Sequence, residues 1–301
     1  YRREHLDLLH VPYFTIPIFY SGAMVVTVHD LTILHIHTGK ATQLPYPLYA
    51  FKRLGYWLVL RIGLSRAKKI LAVSDATKQE IMEHFSIRPE NIVVTPEGID
   101  PVFLRTSLPA VSRPLPANYF LYVGNAYPHK NLDYLLDAFG QFLEESLTYA
   151  GAKLLLVGRI DPFYKRLMGE VQKKGLTERV EFVGEVGDSD LVRLYRNAQA
   201  FIFPSLMEGF GLPAIEAIAC GTPVVVSDIP VFHEMLGDSA LYIDPRKRAD
   251  LVAKMKEVWD RRSAYSERLS AGRALLVKKY SWQHTAELTF AAYQSCFSPA
   301  V

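Results

Sequence analysis

Two glutamates and two glycines lie in the short stretch Glu208-Gly-Phe-Gly-Leu-Pro-Ala-Ile-Glu216. Carboxylates accept hydrogen bonds well from sugar hydroxyls. Gly209 and Gly211 lack Cβ, so the backbone there can approach a ligand closely. A compact helix should start near Pro213, and the first turn of a helix offers N–H groups and a partial positive charge that can hold a phosphate. This combination suits a sugar attached to a nucleoside diphosphate.

A surface helix with acidic residues near its N-terminus would explain the same stretch, because the helix dipole favours them there. Taken as a whole string, Glu208-Gly-Phe-Gly-Leu-Pro-x-x-Glu216 resembles the donor-site signature of the retaining family 4 glycosyltransferases, which have the GT-B fold. The resemblance implies that Glu208 contacts the transferred sugar and that Glu216 contacts the nucleotide ribose. It also implies donor contacts at Gly209, Phe210, Gly211 and Leu212.

A second loop, Val123-Gly-Asn-Ala-Tyr-Pro-His-Lys-Asn131, places Lys130 at a predicted strand-to-helix junction. An ammonium there could reach a diphosphate and offset charge on the leaving group. A lysine at a helix start is more often only solvated, but the family pattern has a glycine, a basic residue and then Lys-Asn before a helix. The resemblance therefore implies a catalytic role for Lys130 and a donor contact at Gly124.

The same loop departs from the family at Asn125, where many members carry arginine. One cation is then lost, and His129 is expected to substitute for it in part. Asn125 remains a predicted donor contact, and Arg159, directly after Gly158, is a further candidate for the phosphate or the base.

His29 follows a predicted buried strand and precedes a loop, where histidines are often structural. The string Val26-Thr-Val-His-Asp30 is similar to a family segment whose histidine faces the donor sugar across the cleft. The resemblance implies that a neutral imidazole at His29 bonds a sugar hydroxyl or steadies charge near the anomeric carbon.

The length of 301 residues is enough for two domains with their own cores, and a net charge of +3 is too small to indicate nucleic acid. The two cysteines are far apart and lack metal-site spacing, which predicts a reducing compartment. No metal is expected, because no Asp-x-Asp triplet lies near the proposed phosphate site. No segment reads as a transmembrane helix or a signal peptide. We therefore expect a cytoplasmic protein.

Basic charge is concentrated between Leu31 and Ser74, where seven lysines and arginines occur and no aspartate or glutamate does. Residues 47–64 form a helix candidate rich in aromatic and aliphatic residues. Basic and apolar composition together suits a helix that rests on an anionic membrane surface, near a lipid-linked acceptor. A helix packed on the sheet with a solvated basic edge, or a helix whose cover belongs to the absent N-terminal part, explains the composition slightly better. Contact with the inner face of a membrane through residues 47–69 stays an alternative.

Strand and helix patterns alternate after residue 118 with the short loops of a parallel, doubly wound sheet. The predicted strands are 119–123, 153–157, 180–183, 200–203, 223–226 and 240–243. The predicted helices are 131–147, 162–174, 188–197, 213–220, 230–236 and 247–261.

The fold class is therefore α/β of the GT-B type, with two Rossmann-like domains that have parallel sheets. We predict a partial N-terminal, acceptor-side domain at 1–106, a linker at 107–118, and a C-terminal nucleotide-sugar-binding domain at 119–280. The resemblance implies that the helix at 281–301 crosses back to the N-terminal domain. It also implies that the N-terminal domain is incomplete, with the rest absent or supplied by a second chain.

The predicted function is a metal-independent, retaining glycosyltransferase that moves a hexose, with mannose as the guess, from a GDP- or UDP-sugar to an acceptor hydroxyl. The acceptor would be a glycan or a lipid-linked sugar, and no cofactor is expected. Two alternatives remain: a nucleotide-sugar epimerase of the same architecture, and a fragment that binds the nucleotide sugar without catalysis.

Overall fold

The computed structural model describes residues 6–13, 15–35, 46–105 and 114–297. Residues 107–113 of the predicted linker lie outside these ranges. The strands are β1 (Leu9–Val11), β2 (Met24–Val28), β3 (Lys69–Ala72), β4 (Ile92–Val94), β5 (Tyr119–Val123), β6 (Lys153–Val157), β7 (Val180–Gly184), β8 (Ala200–Phe203), β9 (Val224–Ser227) and β10 (Leu241–Ile243). The helices are α1 (Thr32–His35), α2 (Tyr46–Arg66), α3 (Asp75–Phe85), α4 (Leu132–Glu144), α5 (Pro162–Lys173), α6 (Asp188–Asn197), α7 (Leu212–Ala219), α8 (Pro230–Leu236), α9 (Arg248–Arg261), α10 (Ser266–Lys279) and α11 (Trp282–Ser295).

The chain divides into two units that are not continuous in sequence. Unit 1 contains residues 1–98, 208–210 and 280–301, and unit 2 contains residues 99–207 and 211–279. The segment 208–210 thus belongs to unit 1, although both of its flanks belong to unit 2.

Unit 1 is built on a four-stranded parallel sheet in the order β1-β2-β3-β4. The middle strands are buried almost throughout, as expected for a parallel sheet covered on both faces. The inner side of α2, with Leu60 and Leu64, packs into the core formed by these strands and by Ile81 of α3.

Helix α11 completes unit 1 on the other face of this sheet. Ala292 packs against Val25 and Leu71. The hydroxyl of Tyr293 donates to Nδ1 of His10 at 2.6 Å, and Nε2 of His10 bonds the hydroxyl of Thr27 at 2.8 Å. Burial lowers the pKa of His10, which suits a neutral ring that accepts at one nitrogen and donates at the other.

Unit 2 contains a six-stranded parallel sheet in the order β10-β9-β8-β5-β6-β7. The first strand in sequence, β5, lies in the middle and pairs with both β6 and β8. The strand order therefore reverses between β5 and β8, and ligands of doubly wound sheets bind beyond the carboxyl ends of the strands at such a point. The site residues predicted in 119–227 follow the strands that meet there.

The predicted α/β class with two parallel sheets is confirmed, and the six strands predicted after residue 118 occur within one residue of their predicted starts. One helix of unit 2, α10, was not predicted. Its buried apolar positions are sparse: Leu269 and Leu276 are seven residues apart, and Leu275 between them is exposed. A helix with so little apolar periodicity is hard to detect from sequence.

Candidate functional site

The glycines after β5 and β6 lie together at the carboxyl edge of the unit 2 sheet. The N–H of Gly124 donates to the carbonyl of Val157 at 2.9 Å, and the N–H of Gly158 donates to that of Gly184 at 3.1 Å. A Cβ on Gly158 would lie 2.1 Å from the carbonyl oxygen of Gly124. The two loops are therefore packed backbone to backbone, and no side chain at Gly158 stands between the sheet edge and a ligand.

Asn125 and Arg159 project from these two loops and are both exposed. Oδ1 of Asn125 accepts from the N–H of Tyr127 at 3.2 Å, and its carbonyl accepts from the hydroxyl of Tyr122 at 2.6 Å. The asparagine thus shapes the loop, and the positive charge at this edge comes from other residues. Arg159 supplies one such charge.

Lys130 ends a single 3-10 turn, Pro128–Lys130, directly before α4. Its ammonium lies 5.0 Å from the ring centroid of Phe203, the last residue of β8, within the range of a cation–π contact. The N–H of Leu206 donates to the carbonyl of His129 at 2.7 Å, which ties this loop to the one that follows β8. The lysine is therefore held at the carboxyl end of β8.

His129 does not supply the missing cation, and the expectation that it would do so is wrong. Burial, with a smaller effect from Lys130, lowers the pKa of the imidazole to about 3. Nδ1 is buried and has no hydrogen-bond partner within the described residues. A ring in this position stays neutral at physiological pH because charging it would cost hydration that nothing here replaces.

Helix α7 begins as the sequence predicted, with Gly211 before its first residue, Leu212. Gly211 has a φ of 99°, in the left-handed region, and a Cβ there would lie 2.7 Å from the ring of Phe232. No side chain of the described residues caps this helix start. The first turn therefore presents its backbone N–H groups and its partial positive charge to a ligand.

Glu216 lies one turn further along α7 and is half-buried. The hydroxyl of Tyr195, on α6, donates to its Oε2 at 3.0 Å. Burial raises the pKa of Glu216 to about 7, and the tyrosine bond opposes part of that rise. The carboxyl group is thus fixed in place and titrates near neutrality.

Residues Glu208–Phe210 are held by unit 1. The carbonyl of Gly209 accepts from the hydroxyls of Ser74 at 2.6 Å and Thr77 at 3.2 Å. A Cβ on Gly209 would lie 1.7 Å from the carbonyl oxygen of His29. Glycine is required here because two backbone segments touch, and this contact places Glu208 beside the loop that carries His29.

Phe210 is buried and packs against another aromatic residue of unit 1. Its side chain is 4 % exposed and meets the ring of Tyr280 edge-on, with centroids 5.5 Å apart. A donor contact at Phe210 would therefore have to use the backbone, because the ring is occupied in packing.

Both ring nitrogens of His29 face acceptors. Nδ1 lies 2.9 Å from Oε1 of Glu97, and Nε2 lies 3.1 Å from the carbonyl of Pro12. The pKa of His29 is raised, chiefly by the hydrogen bond to Glu97. A carboxylate and a carbonyl are both acceptors, and this arrangement favours the protonated ring over the neutral imidazole expected from the sequence.

The predicted site residues thus form two sets. Unit 1 brings His29 together with Glu208, Gly209 and Phe210. Unit 2 places its own set at one edge of its sheet: Gly124, Asn125, Lys130, Arg159, Gly211, Leu212 and Glu216.

Sequence reasoning missed Tyr195 and Glu97, the residues that position Glu216 and His29. The sequence offers no signal for the first, because it depends on α6 packing beside α7. Glu97 lies in the recognisable turn Pro96-Glu-Gly-Ile-Asp100, whose acid could have been considered as a partner for a histidine.

Two further findings concern metals and membranes. Within the described ranges, no group of three or more histidine, cysteine, aspartate or glutamate side chains is arranged to hold a metal ion. None of the helices in those ranges combines the length and the apolar character needed to span a bilayer.

Comparison with protein families and individual proteins gives a consistent result. Residues 106–274 match the family described as glycosyl transferases group 1, and residues 1–103 match glycosyltransferase family 4. The O-antigen chain mannosyltransferase RfbU of Salmonella typhimurium is 31% identical over 81% of this chain. The O-antigen chain mannosyltransferase B of Escherichia coli is 30% identical over 97% of it.

The chain is shorter than these relatives. It spans 62% of the length of the Salmonella protein and 75% of the Escherichia coli protein. A third relative, the MMP alpha-(1->4)-mannosyltransferase of Mycolicibacterium hassiacum, is 29% identical, and the chain spans 54% of its length.

Solved structures share the fold. Sucrose-phosphate synthase from Thermosynechococcus elongatus aligns with 98% of this chain and 74% of its own, at a TM-score of 0.78 and 22% identity. Anabaena HepE, solved with UDP and glucose, aligns with 99% of this chain and 79% of its own, at a TM-score of 0.77 and 18% identity. Together with the family matches, these likenesses show that the chain belongs to the family 4 glycosyltransferases of the GT-B fold.

Proposed function

We propose that the protein is a retaining glycosyltransferase that moves a hexosyl group from a nucleoside-diphosphate sugar to an acceptor hydroxyl. Mannose is the preferred hexose, because the relatives named above are mannosyltransferases. The observation that carries the proposal is the position of Lys130, held beside the last residue of β8 at the carboxyl edge of the unit 2 sheet.

Unit 2 would bind the donor nucleotide. The ammonium of Lys130 and the open first turn of α7 are two sources of positive charge for the diphosphate. Gly124 and Gly158 leave the backbone accessible after β5 and β6, and Arg159 adds a third charge for the phosphate or the base. Glu216 would accept hydrogen bonds from the ribose hydroxyls, which favours its ionised form on binding.

Unit 1 would bind the transferred sugar. Glu208 accepts hydrogen bonds from sugar hydroxyls in this proposal, and the close contact between Gly209 and His29 supports a shared role. His29 would donate from Nε2, exchanging its bond to the carbonyl of Pro12 and keeping the charge-assisted bond to Glu97.

The proposed reaction breaks the bond between the anomeric carbon and the diphosphate oxygen. A bond from that carbon to the acceptor oxygen forms on the same face, and the acceptor proton leaves with the nucleoside diphosphate. Positive charge on the sugar ring and negative charge on the leaving group both grow in the transition state. Lys130 and the α7 N–H groups stabilise the leaving group, the role that a metal ion has in other enzymes.

The donor nucleotide in this proposal is GDP or UDP, and the acceptor is a glycan or a lipid-linked sugar. No cofactor and no nucleic acid take part. A cytoplasmic location with peripheral contact to the inner face of a membrane, through residues 47–69, is included. None of the relatives named above carries an epimerase name, so the epimerase alternative has no support. The non-catalytic binder remains as an outcome of the experiment.

The test is a panel of GDP- and UDP-sugars measured by thermal shift, followed by analysis of each stabilising donor for transfer. A donor at 100 times its dissociation constant should stabilise the protein by about 2.7 kcal/mol. We expect one donor to stabilise the protein and to give an α-linked product from an α-linked donor. Stabilisation without transfer would establish the binder, and conversion of the donor alone to an epimer would establish the epimerase.

A further inference from the structure

Two buried hydroxyl groups of unit 1 converge on one backbone carbonyl next to Glu208. Ser74 lies directly before α3, and Thr77 is in the first turn of that helix. Both side chains are buried, with exposed fractions of 0% and 2%. Their hydroxyl oxygens lie 2.6 and 3.2 Å from the carbonyl oxygen of Gly209, which is 135 and 132 positions away in the sequence. Two distant segments of the chain are therefore joined at a single acceptor.

The helix cap leaves the hydroxyl hydrogen of Ser74 available for this bond. As the N-cap of α3, Oγ of Ser74 accepts from the N–H of Thr77 at 3.0 Å. That bond uses a lone pair of the oxygen, and the single hydrogen remains to be donated. The carbonyl of Gly209 at 2.6 Å is closer to Oγ than the hydroxyl of Thr77 at 3.0 Å. An N-cap needs only an acceptor, so capping does not explain the donation to Gly209.

Gly209 is held by its other neighbours as well. A Cβ on this residue would lie 1.7 Å from the carbonyl oxygen of His29, and the ring of Phe210 packs edge-on against Tyr280. A glycine backbone is otherwise the least restricted of any residue. The two hydroxyls remove that freedom because they fix the peptide group that carries the Gly209 carbonyl. Glu208, the preceding residue, is therefore attached to a fixed point of the backbone.

We propose that Ser74 and Thr77 are positioning residues for the transfer reaction, which hold the backbone at Gly209 so that the carboxylate of Glu208 meets the transferred sugar. The inference rests on the proposed function, in which Glu208 accepts hydrogen bonds from the sugar hydroxyls. Neither hydroxyl touches the substrate in this proposal. A displacement of about 1 Å in such a contact can lower a rate about 100-fold, so loss of the attachment should affect the reaction as well as the fold.

A purely structural role predicts a different result. Removing the donors of any buried carbonyl destabilises a fold, wherever that carbonyl lies. Positioning predicts in addition that the loss of rate depends on the presence of Glu208. Two groups that act as a unit have non-additive effects on the rate, whereas independent groups have effects that multiply.

The experiment compares variants that remove the hydroxyls with variants that keep them. Ser74→Gly removes one hydroxyl with little harm to α3, because glycine is tolerated as an N-cap, and Thr77→Val keeps the shape of the side chain. Each should lower turnover about fivefold, the value of one hydrogen bond. The double variant leaves the carbonyl of Gly209 without either donor and should lower turnover about 100-fold. Ser74→Thr and Thr77→Ser keep a hydroxyl and should restore most of the rate.

Turnover is measured as release of the nucleoside diphosphate from the donor selected by thermal shift, with GDP-mannose as the first probe. Glu208→Ala is then combined with the double variant, and the combination should lower turnover by no more than about twofold beyond Glu208→Ala alone. GDP lacks the sugar that Glu208 would contact. Its dissociation constant, measured by calorimetry, should therefore stay within about twofold of that of the unchanged protein in every variant.

Tyr119→Phe is the matched control. It removes another buried hydroxyl that donates to a carbonyl, that of Leu194 at 2.8 Å, and it should lower stability without lowering turnover. Three results would overturn the proposal: full turnover in the double variant, losses that multiply in the Glu208→Ala background, or an equal loss of turnover in Tyr119→Phe. If Ser74→Gly does not fold, Thr77→Val and Thr77→Ser give the same comparison.

The unchanged protein keeps the two proposals distinguishable. If it releases nucleoside diphosphate and the double variant does so at the same rate, only the positioning role fails. If the unchanged protein releases none, the proposed function fails, and amide hydrogen exchange of residues 208–212 then decides whether the hydroxyls hold this segment. Faster exchange in the double variant would support the attachment, and unchanged exchange would overturn it.

Discussion

The two units differ in how much of their apolar surface they expose to solvent. Among the described residues, eleven of the sixteen exposed large apolar side chains belong to unit 1, although unit 2 is the larger unit. Unit 2 buries Phe120, Phe139 and Phe142 together on one face of its sheet and Phe201 on the other face. Unit 1 exposes large apolar side chains to solvent on α2, in the turn at Phe19 and on α11. Among the described residues, apolar surface is therefore available for contact mainly on unit 1.

The strongest test of the donor role of unit 2 is Lys130→Ala. Removing a charge that acts only as the leaving group departs should lower turnover about 100- to 1000-fold with little effect on folding. Steady-state release of the nucleoside diphosphate measures this, and Lys173→Ala on α5 is the control. If the variant turns over as fast as the unchanged enzyme, Lys130 does not stabilise the leaving group, and its role is structural.

A pair of glycine substitutions compares crowding in unit 1 at two positions. Gly209→Ala would place a methyl group against the carbonyl of His29 and should lower the free energy of unfolding by about 3 kcal/mol. Gly55→Ala, in the middle of α2 with no atom within 4 Å of the new Cβ, should raise it by about 0.5–1 kcal/mol. Urea denaturation measures both. Equal stabilities would show that the contact between residues 209 and 29 is not formed.

The two units each contain one glutamate whose pKa burial raises to about 7, Glu80 in unit 1 and Glu216 in unit 2. The folded protein holds these protons more tightly than the unfolded chain does. The stability that protonation provides is fully present below about pH 4.5 and is lost as the pH rises through about 7. The free energy of unfolding should therefore fall as the pH rises through about 7. Glu80→Gln or Glu216→Gln should each make this fall smaller by about 2 kcal/mol, after allowance for partial exposure.

Urea unfolding at several pH values from about 4 to 8 tests this, with the exposed Glu178→Gln as control. Donor affinity then distinguishes the units. Only Glu216→Gln should alter its pH dependence, because only that carboxyl group is proposed to meet the ribose. An effect of Glu80→Gln on donor affinity would contradict the division of roles.

The smallest expected effect is that of Tyr195→Phe. Loss of the hydroxyl that donates to Glu216 should raise the pKa of that glutamate further, because the bond favours its ionised form. Donor affinity at pH 7 should fall about fivefold, the value of one hydrogen bond. Tyr119→Phe removes a similar bond, to the carbonyl of Leu194, at the opposite end of β5, and should leave donor affinity unchanged. Isothermal calorimetry compares the two variants.

The sequence predicts unit 2 well because its strands are continuous apolar runs followed by glycines, and both patterns are local. The start of α7 could be located from Gly211 and Pro213, and its end from Gly221. The attachment of residues 208–210 could not, because it depends on the hydroxyls of Ser74 and Thr77, more than 130 positions earlier in the chain. Local patterns carry no information about such partners.

The charge states of the two histidines show the same limit. His29 and His129 both follow strands and both lie in loops that resemble the family, so the sequence treats them alike. The hydrogen bond to Glu97 raises the pKa of His29, whereas burial lowers the pKa of His129 to about 3. The charge of a histidine depends on the residues that surround it in the folded protein, and these are not its neighbours in the sequence.

The discontinuous composition of unit 1 has a consequence for biosynthesis. Residues 1–98 leave the ribosome long before Tyr280 and α11, which supply Ala292 and the partner of His10. At bacterial and eukaryotic translation rates, the intervening chain takes about 10 to 40 seconds to make. During this time one face of the nascent four-stranded sheet is not covered by α11. Unit 2 is synthesised before α11 and can fold before unit 1 is complete. A chaperone would therefore be most useful at this stage of synthesis.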